Sequence, residues 1–223
     1  MQFSIHQYFQ ILSFFLTTFF YLQNRKGNKL LLYFIPFLFL TIIIECIGGW
    51  YLSKGVRNYW MYNVFTTLEF IFYSFLFYLF FRKAVFKKII LFFIPLFITF
   101  VILNMLFIQG VNKTFNTYTF LIGSFFIVIF CCSFFYESVL PDKIDQQLSK
   151  QPFFWISSGL LIFYLGSVII NALFEYLRNN DLQAEGIRIY GIINQVLNIL
   201  LYSSFCIAFY LCRNNKKISS SQS

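Results

Sequence analysis

The chain has 223 residues, 59% of them hydrophobic and 11% charged, with a mean hydropathy of +0.72, whereas soluble domains run at roughly 45–50% and about 25%. Eight acids and 17 Lys and Arg cannot make a water-facing surface while 35 Phe and 15 Tyr find an interior, which excludes a soluble fold. A net charge of +9 and a pI near 9.3 would suit nucleic acid, but the basic residues stand in short clusters between apolar runs. That pattern belongs to helix ends at a bilayer surface, so the bilayer and not nucleic acid is the expected partner.

The first apolar run covers 3–23 and has no Lys or Arg before Arg25. It lacks the positive leading segment of a cleavable signal peptide and is expected to stay as the first helix. Six more runs follow at 30–52, 59–81, 89–108, 117–137, 153–177 and 189–212, each about twenty residues or longer and so able to cross roughly 30 Å of hydrocarbon. The connections 24–29, 53–58, 82–88, 109–116, 138–152 and 178–188 are too short to hold a domain. Period-two alternation is absent, so continuous helices are the spanning structure that satisfies the backbone in lipid. The predicted fold is all-α: a polytopic bundle of seven transmembrane helices over 1–212, followed by a disordered, Ser-rich cytoplasmic tail at 213–223.

Lys and Arg set the orientation. Twelve fall in the first, third and fifth connections and the tail, five in the others, placing the amino terminus outside and the carboxyl terminus inside. Arg82, Lys83, Lys87 and Lys88 form the strongest internal cluster, and Arg213, Lys216 and Lys217 close the seventh helix. Tyr and Trp near helix ends, among them Trp50, Tyr51, Tyr59, Trp60, Tyr62, Trp155 and Tyr176, read as interfacial belts. The Phe excess follows from the codons of an AT-rich genome more simply than from an aromatic ligand cage.

Cys46, Cys131, Cys132, Cys206 and Cys212 lie in apolar runs without CxxC spacing and read as small buried hydrophobes. One histidine, His6, near the outer end of the first helix, rules out bis-histidine haem and multi-histidine metal sites. Helix 7 has no Lys for a Schiff base, and no HExxH, Walker loop or GxSxG occurs. Neither an enzyme nor a cofactor is expected. Asn112, Lys113 and Thr114 spell a glycosylation acceptor, relevant only in a eukaryotic secretory pathway.

Polar groups at membrane depth carry the functional information. Glu45 lies in helix 2, Glu69 in helix 3, Glu175 at the outer edge of helix 6 and Glu137 at the inner edge of helix 5. Asn63, Asn104, Asn171, Asn194, Gln195 and Asn198 join them, mostly at the midplane or in the outer half. Helical spacing makes stripes of Tyr164, Ser167, Asn171 and Glu175, of Asn194, Asn198 and Tyr202, of Asn63, Thr66 and Glu69, and of Thr41 and Glu45 leading to Gly48 and Gly49. Such stripes should face the bundle interior. Two readings stay open: the groups bond one another and hold the bundle together, or they line a polar pocket reached from outside. With no basic residue at comparable depth, Glu45 and Glu69 call for protonation or a bound cation.

At a shift of 129, Leu68, Glu69, Tyr73, Ser74 and Phe80 align with Leu197, Asn198, Tyr202, Ser203 and Phe209; at 126, Thr41 to Glu45 (TIIIE) align with Ser167 to Asn171 (SVIIN). Read as a repeat, these matches give a 3+1+3 arrangement that resembles transporters of the SWEET type, with their outer amino terminus and helix 7 amide. In that family an intramembrane Asn pair contacts a sugar. Here Glu69 stands for the first Asn, Asn198 matches the second, and only Pro36 answers to the family's repeat prolines. The chain is also similar, over its whole length but by hydropathy alone, to small, largely uncharacterised seven-helix proteins of bacterial inner membranes. That resemblance implies location only.

The expectation is therefore a small-solute carrier or facilitator, with Glu69 and Asn198 at the central site, Glu45 and Asn171 above, Asn63 and Asn194 towards the entrance, and Tyr202 beside them. Its partners are the bilayer and a small solute or proton. The alternatives are a receptor or sensor that signals to a cytoplasmic protein through 82–88 and 138–152, and a scaffold subunit with no ligand.

Overall fold

The computed structural model describes residues 5–23, 29–111, 114–139, 148–179 and 183–219, without the side chains of 174–179, 183–185, 187 and 214–219. Among them are seven long helices and no strand: α1 (Ile5–Gln23), α2 (Lys29–Ser53), α3 (Tyr59–Phe80), α4 (Ala84–Leu103), α5 (Thr117–Val139), α6 (Pro152–Asn179) and α7 (Gln183–Ser219). A π-turn, Asn104–Ile108, prolongs α4, and a 3-10 turn, Leu148–Lys150, precedes α6. Six segments are long and apolar enough to cross a membrane: Lys29–Ser53, Tyr59–Phe80, Ala84–Ile108, Thr117–Val139, Pro152–Leu173 and Arg188–Arg213. The chain is an integral, multi-pass membrane protein.

Against the expected seven crossings, α1 falls short, because His6, Gln7, Gln10, Ser13, Thr17 and Thr18 dilute its apolar residues. Its polar stripe is buried inside the protein: Gln10, Ser13 and Thr17 all fall below 3% exposure. Ser13 donates a hydrogen bond to the Tyr202 backbone carbonyl at 3.0 Å and lies 3.2 Å from Cys206 Sγ.

Three ends also differ from expectation, the first being that α7 begins at Gln183, six residues before the expected 189, within the expected sixth connection. α4 begins at Ala84 and not at 89. Glu137, on α5, accepts from the Arg82 and Lys83 backbone N–H groups at 3.0 and 2.6 Å. A carboxylate there takes up donors that precede the first turn and offsets the Lys-rich start of the helix. α7 runs on to Ser219, seven residues past the expected end at 212; only 220–223 of the expected tail lie outside the described residues. The glycosylation residues Asn112 and Lys113, the stretch 140–147 of the fifth connection and the Glu175 side chain also lie outside them.

Two compact units divide the chain, one over 43–141 and the other over 2–42 with 142–223. The first contains the end of α2 with α3, α4 and α5; the second contains α1, the start of α2, α6 and α7. This grouping separates α1 from α3, and so lends no support to a repeat of helices 1 to 3 and 5 to 7.

Aromatic packing fills both cores. In the first unit the Phe70 and Phe97 rings lie 3.9 Å apart, Phe93 and Phe126 4.5 Å, and Phe81 stacks on Phe86 at 5.0 Å. In the second, Phe34 sits edge-on to both Phe205 and Phe209 at 5.1 Å. The Phe excess thus serves as filler, whatever produced it. Small residues set the α6 and α7 approach: a Cβ on Gly159 would stand 2.7 Å from Ser204 Cβ, and one on Gly166 2.6 Å from a Leu197 methyl. α2 stops in a Schellman turn, with Gly55 at φ 68°, Val56 N–H on the Tyr51 carbonyl and Gly55 N–H on that of Leu52. Only a residue free to take positive φ closes that motif without strain.

Candidate functional site

The polar side chains of the first unit form two clusters. The first belongs to α2 and α3. Glu45 and Glu69 are close enough for their charges to interact, and Glu69 shares a hydrogen bond with the hydroxyl of Tyr73, one turn further along α3 and buried. Tyr62 feels the Glu45 charge and lays its hydroxyl over Gly48: a Cβ there would stand 2.9 Å from Tyr62 Cζ. Gly48 is required because any side chain would displace the Tyr62 ring. Asn58 Nδ2 donates to the Gly48 carbonyl at 3.4 Å. Glu45, Glu69 and Tyr62 are half-buried, whereas Tyr73 lies in the core.

The second cluster joins the start of α3 to the connection between α4 and α5. Asn63 is 0% exposed. Its Nδ2 donates to the carbonyls of Val111 and Thr114, both at 3.1 Å, and its Oδ1 accepts from the Asn116 N–H at 2.8 Å. Thr66 and Thr67 donate to the Asn63 backbone carbonyl at 3.1 and 3.0 Å. The side chain of Asn63, expected at the entrance for solute, thus bonds Val111, Thr114 and Asn116. Asn104 Nδ2 donates to Gln109 Oε1 at 3.0 Å and Thr119 Oγ1 at 2.9 Å. The π-turn, closed by Gln109 N–H on the Asn104 carbonyl at 2.9 Å, gives Asn104 its inward position.

In the second unit the expected residues bond locally. Asn171 Nδ2 donates to the Ser167 carbonyl at 2.7 Å, and the Asn171 side chain shares a hydrogen bond with the Tyr190 hydroxyl, linking α6 to α7. Asn198 Nδ2 donates to the Asn194 carbonyl at 2.9 Å and reaches its Oδ1 at 3.4 Å. Tyr202 is buried, as are Tyr164 and Ser167, so the predicted α6 and α7 stripes turn inward in part.

The structure thus brings Glu45 to Glu69 and Asn194 to Asn198, each pair within its own unit. Of the central pair, Glu69 belongs to the unit over 43–141 and Asn198 to the other. Glu69 bonds Tyr73 whereas Asn198 bonds one turn back to Asn194, so the aligned residues differ in local partners. Sequence reasoning missed Tyr62, Tyr73, Gln109, Asn116 and Thr119 as cluster members. Tyr73 alone carried a signal, its i+4 spacing from Glu69; Tyr62 resembles any interfacial tyrosine. Among the described residues no group of three or more His, Cys, Asp or Glu is placed to hold a metal. No protein-family model, curated protein or solved structure matches the chain.

Proposed function

We propose that the protein is a small-solute carrier or facilitator of the bacterial inner membrane whose working centre is the Glu45 and Glu69 pair, with Tyr62 and Tyr73 as its hydrogen-bonding partners. The observation that carries this reading is the approach of two carboxylates within one helical unit. Positions 30–53 and 58–81 contain no Lys or Arg, and two like charges at membrane depth are costly unless a proton or cation joins them. A pair that holds a proton in one state and a solute or cation in another has the chemistry of coupled transport. Tyr62 and Tyr73 supply hydroxyls able to donate to whichever carboxylate is ionised.

The test is uptake by the full chain in proteoliposomes under an imposed pH gradient, alongside carbodiimide labelling of Glu69 read by mass spectrometry. Glu69→Gln should abolish both gradient-driven uptake and labelling. Uptake that persists undiminished in Glu69→Gln and Glu45→Gln would remove the pair from the mechanism. The scaffold reading has its own support, since Asn63, Asn171 and Asn198 all spend hydrogen bonds within the protein. It predicts that both Gln variants change nothing but stability.

A further inference from the structure

One atom set in the first unit stands apart from the carboxylate pair. Asn116 immediately precedes α5, and its backbone carbonyl accepts the Phe120 N–H at 3.0 Å. An Asn in that place ordinarily turns its side-chain oxygen onto the N–H groups of the first turn. Here the residue is 1% exposed, and neither Oδ1 nor Nδ2 has a protein partner. Asn104, 0% exposed, has both its amide bonds on Nδ2 and none on Oδ1.

The two residues converge. Thr119, the acceptor of Asn104 Nδ2, lies three positions after Asn116 on the same face of the first turn of α5. The backbone N–H of Asn116 is held by Asn63. Between them Asn104 and Asn116 carry three orphan polar atoms, two carbonyl oxygens that accept and one amide that donates. Each left alone costs about 1–3 kcal/mol. The clustered residues, Asn63, Asn104, Gln109, Asn116 and Thr119, are all neutral, so a bare ion would find no countercharge.

We infer that this cluster binds an internal water molecule, which donates to Asn104 Oδ1 and Asn116 Oδ1 and accepts from Asn116 Nδ2. Water has the two donors and the lone pair that the orphan atoms require, and three bonds is the usual number for a buried water. Rotating the Asn116 amide by half a turn exchanges its two atoms and leaves the inventory unchanged. The water ties the connection after the π-turn to the start of α5. It sits beside Asn63, the first member of the polar lane of Asn63, Thr66, Glu69 and Tyr73 along α3.

Radiolytic footprinting of the full chain in nanodiscs, after rapid mixing with oxygen-18 water, tests the site. The Phe115 and Phe120 rings pack at 5.9 Å on either side of Asn116 in sequence; they should be oxidised with oxygen that has not exchanged with bulk. Asn116→Leu and Asn104→Leu should each lower that slow-exchanging label several-fold, and Glu69→Gln should leave it unchanged, so this test stands apart from that of the carboxylate pair. Label that follows bulk exchange at the shortest mixing time in the unmodified protein would overturn the inference, and needs no variant to fold. So would a rise in melting temperature specific to Na⁺ over K⁺ or choline that is lost in Asn116→Leu, because a neutral occupant is indifferent to the cation.

Discussion

Asn63→Ala is the sharpest test of how the first unit is held. The substitution removes two donors and one acceptor and leaves the carbonyls of Val111 and Thr114 and the N–H of Asn116 without their partner. At about 0.6 kcal/mol per bond, as for polar contacts between membrane helices, the loss is about 2 kcal/mol. The value for buried bonds in soluble proteins raises it to about 4 kcal/mol. Two kcal/mol of local stability is about a thirtyfold change in an opening equilibrium. Hydrogen exchange by mass spectrometry in nanodiscs should therefore show peptides over 111–116 exchanging at least thirtyfold faster, with α6 and α7 unchanged. Asn63→Asp should be no better, since it keeps the acceptor for Asn116 but turns a second oxygen towards two carbonyls. Unaltered protection of 111–116 in Asn63→Ala would refute the reasoning. So would a variant with wild-type protection but a raised KM for solute, the outcome that an entrance residue predicts.

Glu137→Gln should weaken the start of α4 by about 1 kcal/mol, discounted for its partial exposure, and speed exchange at 82–87; no change there would mean that the carboxylate serves something other than the two N–H groups. Gly159→Ala should lower the melting temperature more than Gly166→Ala. The added methyl meets Ser204 Cβ close to its helix in the first case and a mobile Leu197 methyl in the second, a cost of about 1–3 kcal/mol for the stiffer contact. The opposite order would show that α6 and α7 can separate at Ser204. Gly48→Ala should disturb the Tyr62 ring, and with it the rate of carbodiimide labelling at the Glu45 and Glu69 pair; an unchanged rate would detach Tyr62 from the site. An epitope at the amino terminus should react from outside spheroplasts, stripped of any outer membrane, if α1 crosses the bilayer with the other six segments. Reaction only after permeabilisation would make α1 a helix buried on α7 without a crossing of its own.

Hydropathy determined the membrane class and the central part of every helix, because a run of apolar residues near twenty has one favourable environment and one backbone form within it. It fixed α2, α3 and α5 to within two residues at each end. It missed the early start of α4, since Lys87 and Lys88 look like a connection until Glu137, fifty residues on, is seen to take up the preceding N–H groups. The polar residues themselves were legible, as ionisable and amide groups stand out in an apolar run. Their roles were not. Whether Asn63 reads solute or holds a loop depends on where the carbonyls of Val111 and Thr114 come to lie, and nothing within α3 encodes that. Glu45 and Glu69 become a pair only when α2 and α3 fold back on each other. Asn116 looked like connection until its amide was found inside with no protein partner. Local sequence determines which groups must leave water, and tertiary structure decides which of them find one another.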